Sequence, residues 1–207
     1  GEIMAWDIIH TGEDRSLEGN YRRFVKAMHE VIVGEFDKQF FHRTWVVNTW
    51  EQSSVPEIYR RTFTDEIPTK NLIVCIKLTS GDQWEWQPLN LTFGQTKHAT
   101  AATVETARAQ DYLSGSPDFA VEFAQAGLEW AIERGSIATM INQRPRWEEN
   151  LWAGMEYAAW RFAWNPYQPV HDVVADWVRA TVGPEIADRV ATMLLDFDDI
   201  HREGFHV

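Results

Sequence analysis

The 207 residues suit one large domain or one domain with an appendage, and at 44% hydrophobic and 24% charged the composition is an ordinary globular one. No apolar run approaches the roughly 20 residues of a membrane span, and a formal net charge of −12 without a Lys/Arg cluster repels phosphate backbones. Membrane and nucleic acid are therefore poor partners, and a single cysteine, Cys75, excludes an internal disulfide and a thiolate metal cluster.

GEIMAWDIIH opens the chain already strand-like and without a leader, as a mature or trimmed terminus would, so localisation is not legible in it. Residues 3–10 form the first expected strand, followed by a turn-like TGEDRS. From Leu17 to Val33 apolar residues recur at helical spacing, and Gly34 is the expected stop. A second strand is expected over 41–48 and a short helix near 55–62. NLIVCIKL gives a third strand over 71–78, in which Cys75 reads as a small buried residue rather than a nucleophile. A long loop, 79–98, leaves it, and the Thr-rich segment 100–107 reads as a fourth strand. Ser116 and Pro117 carry a helix-start signature, FAVEFAQAGLEWAIER supplies the amphipathic body, and Gly135 ends it. Residues 136–142 give the fifth strand. After it the pattern is helical alone: one segment up to Asn165-Pro166, one from Pro169 to Thr181, and one from Pro184 to about Arg202.

Short apolar strands separated by helices imply parallel pairing with helices on the sheet faces, in an open sheet or an arc of a barrel. Both architectures bind ligands at the C-terminal strand ends. There the sequence puts His10, Glu13 and Asp14, then Arg43 and Asn48, then Lys77 and Asp82, then Gln110 and Asp111, then Asn142, Gln143 and Arg144. Eleven tryptophans are the compositional oddity, and Trp84, Trp86 and Trp147 stand in loops beside carboxylates. Indole faces stack on sugar rings while carboxylates take their hydroxyls. Two carboxylates across a groove are the minimum equipment for glycoside hydrolysis, one as proton donor and one to activate water or attack the anomeric carbon. Arg43 and Lys77 have no part in that step unless the substrate is anionic, as a uronic acid is.

At these residues the sequence resembles the family 67 glycoside hydrolases, the α-glucuronidases that release glucuronic acid from xylan fragments. KLTSGDQWEWQPLNLTFG (77–94) is similar to the family's sixth-strand stretch, with Lys77, Asp82, Pro88, Phe93 and Gly94 in register. ETARAQDY (105–112), FHRTWVV (41–47), HTGEDRS (10–16) and the pair IATMINQRPRWEENL and YAAWRFAWNP resemble neighbouring family segments. The resemblance implies strands four to eight of a (β/α)8 barrel over 1–145 and the start of a helical domain over 146–207. It implies Glu13 as general acid, Asp82 and Asp111 as the carboxylates that activate water in an inverting displacement, and Arg43 and Lys77 as holders of the uronate. Trp84, Trp147 and Asn142 would line the sugar. Asp111 stands where the family has Glu, and Ile9 where it has a second lysine, which points to a divergent relative with another acidic sugar.

The implied partner is an oligosaccharide with an acidic sugar, and no cofactor is implied. Three early barrel strands are missing, so the chain is a fragment, or another chain or copy completes the barrel, or the arc closes in its own way. A relative that binds carbohydrate or a protein partner without catalysis is the alternative, and an unrelated open-sheet enzyme lacks the Gly-rich phosphate loop it would need. His10, His42 and His98 lie near strands, but without His-x-x-x-His spacing they read as structural.

Overall fold

The computed structural model describes residues 16–44, 46–47, 50–51, 53–80, 87–106, 119–142 and 151–205. In chain order its elements are α1 (Leu17–His29), β1 (Phe40–Arg43), β2 (Val46–Val47), β3 (Trp50–Glu51), α2 (Pro56–Thr62), β4 (Leu72–Lys77), β5 (Ala99–Glu105), α3 (Val121–Glu133), β6 (Ser136–Asn142), α4 (Leu151–Trp164), α5 (Val170–Thr181) and α6 (Ala187–Phe205). Four strands pair in the order β1-β4-β5-β6, every neighbouring pair parallel, so the sheet follows the chain sequentially. The expected strand over 3–10 lies outside the described residues.

Strand composition explains the layering. All six residues of β4 are buried, which only a strand covered on both faces allows. One face carries Phe40, Leu72, Val74, Ile76, Leu78, Ala102 and Val104 into the main core against the helices, with Tyr21 and Val25 from α1 and Leu128 from α3. The other face carries a small cluster of Ile73, Cys75 and Ala101, joined by Ala99, Ala138 and Met140. Ser136 stands opposite Thr100 and Ala138 opposite Ala101, so Ile137 is an extra residue on β6, a bulge, and it is 68% exposed.

The second expected strand is shorter than 41–48. The ladder to β4 ends at Arg43, where the Thr44 amide and hydroxyl both donate to the Cys75 carbonyl, and Val46–Val47 pairs antiparallel with Trp50–Glu51 in a separate ribbon. Gly34 does not stop the first helix. The backbone widens into a π-helical turn over Glu30–Glu35, and the chain turns out at Asp37, which takes φ 50°. Ser116 and Pro117 lie outside the described residues, and regular helix begins only at Val121. The preceding Phe119 and Ala120 are fully buried, with the Phe119 ring set against Trp177 at 6.2 Å, so core packing holds them out of the helix. Gly135 ends that helix as expected, at φ 83°, a conformation other residues reach only with strain.

Candidate functional site

The last residues of the four parallel strands are Arg43, Lys77, Glu105 and Asn142. All four belong to the sheet face opposite the main core, because side chains alternate along a strand and Cys75, Ala101 and Met140 share their parity. The ends are staggered. Arg43 is level with Cys75, two residues short of Lys77, and Lys77 is level with Thr103, two short of Glu105. The two positions farthest down this stair hold the two longest cationic side chains, which have the reach to climb it.

They meet on one atom. Arg43 Nη2 donates to Glu105 Oε1 at 2.8 Å, Lys77 Nζ stands 3.9 Å from the same oxygen, and Asn142 Nδ2 donates to it at 3.4 Å. The arginine contact is a charge-assisted hydrogen bond, whereas the lysine at its longer distance acts through charge alone. The Lys77 side chain is only 7% exposed and Glu105 15%, but Arg43 is 34% exposed, so the cluster opens toward solvent on the arginine side. Beneath it Thr103 is fully buried, and its hydroxyl has no hydrogen-bond partner among the described residues. Cys75 lies one ladder step lower, and burial pushes its thiol up to about 11 against the opposing pull of Arg43, which leaves it protonated and unreactive at neutral pH.

The strand end is braced by Asn90, which is 1% exposed. Its amide nitrogen donates to the carbonyls of Ser53 at 2.6 Å, Lys77 at 3.1 Å and Thr79 at 3.3 Å. Its Oδ1 accepts from the Thr92 amide and hydroxyl, its backbone amide donates to Leu78 O, and its carbonyl accepts from Trp130 Nε1 at 3.2 Å. Asn90 thus ties the exit of β4 to the Ser53 turn through its side chain and to α3 through its backbone carbonyl. Nothing in the local pattern PLNLTFG distinguishes this Asn from an ordinary turn residue.

His42, on the core face of β1, is packed among Tyr21, Phe40 and Phe63 and is hydrogen-bonded to the Tyr21 hydroxyl. Burial lowers its pKa to about 4, so the ring is neutral. His98 donates from Nε2 to Ile67 O at 3.0 Å, and burial lowers its pKa as well. Both are structural groups turned away from the rim. Among the described residues no group of three or more His, Cys, Asp or Glu side chains is placed to hold a metal.

Of the residues singled out from the sequence, Arg43, Lys77 and Asn142 are thus brought together. Glu13, Asp82, Trp84, Asp111 and Trp147 lie outside the described residues, as does His10. The residue missed is Glu105, the carboxylate on which the three converge. Its signal was its position as the last residue of an apolar strand, overshadowed by Asp111 in the same motif. No protein-family model matches the chain, and no curated protein sequence is similar to it.

Proposed function

We propose that this protein is a glycoside hydrolase acting on glycans that contain a uronic acid. The observation that carries the reading is the convergence of Arg43, Lys77, Glu105 and Asn142 at the C-terminal ends of four sequential parallel strands. That is the end where parallel α/β architectures hold their ligands. In this reading the chain supplies strands four to eight of a (β/α)8 barrel, and the four-stranded sheet is the arc of the last four. Arg43 and Lys77 hold the sugar carboxylate, Asn142 takes a hydroxyl, and Trp84 and Trp147 stack on the ring. Glu13 protonates the leaving oxygen while Asp82, with Asp111 beside it, activates water in an inverting displacement. Such a mechanism sets acid and base about 6.5–9.5 Å apart.

The test is release of free uronic acid from aldouronic oligosaccharides, with the native mass of the assembly measured alongside. Loss of preference for the uronide over its neutral analogue in Arg43→Ala is the expected companion result, and an unchanged ratio overturns the clamp. A second reading, a relative that binds acidic glycans without cleaving them, rests on Asp111 standing where the resembled family has Glu. Saturable binding of the same oligosaccharides without turnover supports that reading over the first.

A further inference from the structure

Glu105 stands where an incoming anion would be attracted. Its Oε1 lies 2.8 Å from Arg43 Nη2 and 3.9 Å from Lys77 Nζ, and its side chain is 15% exposed, away from the full screening of bulk water. A carboxylate built into an anion-holding rim has a defined electrostatic effect. It repels every anionic ligand, and a doubly charged ligand feels that repulsion twice. It leaves the arginine and lysine charges in place, so Glu105 repels a singly charged carboxylate half as strongly as a doubly charged ligand.

We infer that Glu105 sets specificity at this rim by lowering the preference that the Arg43 and Lys77 charges alone would give a doubly charged sugar phosphate over a singly charged sugar acid. The inference rests on the proposed function and adds to it a bias against doubly charged sugars. Glu105 acts here by its charge on the clamp. It is a specificity-setting group, with the chemistry left to other residues.

A charge series at one oxygen tests this, with two substitutions that move the local charge in opposite directions and a third that keeps it. Glu105→Gln removes a negative charge in the same shape. Asn142→Asp, 3.4 Å from the same oxygen, adds one. Glu105→Asp keeps it. Binding of methyl α-D-glucuronoside, methyl α-D-glucoside and glucose 6-phosphate is measured by calorimetry at pH 7.5 and fixed ionic strength. The ratio of phosphate to glucuronoside affinity is expected to rise about tenfold in Glu105→Gln, to fall in Asn142→Asp, and to stay near wild type in Glu105→Asp. Should Glu105→Gln fail to fold, as a thermal melt would show, Asn142→Asp carries the test in the opposite direction. A flat series in a wild type that prefers the glucuronoside overturns the inference alone. A wild type that binds glucoside as well as glucuronoside overturns the uronate reading, and the inference with it.

Discussion

Acidification probes the box of rings around His42. The imidazole is 7% exposed, hydrogen-bonded to Tyr21 and packed between Phe40 and Phe63, and its pKa falls from 6.5 to about 4 because burial opposes its charging. With the folded value below the unfolded one, the unfolded chain takes up the proton first. The stabilisation is therefore complete above pH 6.5, declines as the pH falls, and levels off below pH 4. A shift of this size removes about 2 kcal/mol between pH 7 and pH 5 and about 3 kcal/mol by pH 4. The assay is urea unfolding across that range for wild type and for His42→Gln, which does not titrate. Carboxylates and His98 titrate in both proteins and cancel in the difference. Wild type should lose about 2 kcal/mol more than the variant between pH 7 and pH 5. Equal losses would refute the assignment of a neutral buried ring.

Asn90→Asp sets a carboxylate against the carbonyls of Ser53, Lys77 and Thr79 and should cost about 2–4 kcal/mol in urea unfolding; a cost below about 1 kcal/mol would show that the hub is not holding the strand exit. In Gly127→Ala the new methyl meets Leu78 Cδ1 at 2.7 Å and Cβ at 3.3 Å. Overpacking of about 1–3 kcal/mol should exceed the gain of about 1 kcal/mol in helix propensity, and a raised melting temperature would contradict that balance. Glu13→Gln should spare aryl glycosides with acidic phenols and lose natural substrates, whereas Asp82→Asn should lose both. Equal loss on both substrates in Glu13→Gln would remove it as the acid, and full activity in Asp82→Asn would remove the mechanism.

Much of the sheet was legible because its strands are two-sided. LIVCIK reads as a covered parallel strand, and its end residue, Lys77, lies where the pattern places it. Misreadings arose where tertiary packing overrode local signals. Gly34 looks like a helix stop, but the glycine tolerates the π-helical turn and the exit moves to Asp37. FAVEFAQAGLEWAIER reads as helix from its first residue, but regular helix begins at Val121, with the buried Phe119 and Ala120 outside it. The strand expected over 41–48 pairs with β4 only to Arg43, with the Thr44 amide making the last ladder bond to Cys75 O, and Val46–Val47 turns to Trp50–Glu51 instead. Glu105 went unread for a different reason. A carboxylate at a strand end is common, and only the ladder register shows that three donors from three other strands reach it.

Ile137 works as a phase corrector between two fixed points of β6. Upstream, Gly135 fixes the turn, and the Ser136 hydroxyl is anchored to Thr100 O at 3.1 Å and Ala138 O at 3.2 Å. Downstream, Asn142 must arrive opposite Glu105 with its amide on the rim side. The two ends differ by an odd step, since Ser136 pairs with Thr100 on the core side while Ala138, Met140 and Asn142 lie on the other. The odd residue absorbs that half-period. Such a slack point tolerates removal: deleting Ile137 restores an even ladder and leaves Asn142 in place. Deleting Thr139 instead would carry every later side chain to the wrong face, turning Ile141 to the rim and Asn142 into the core.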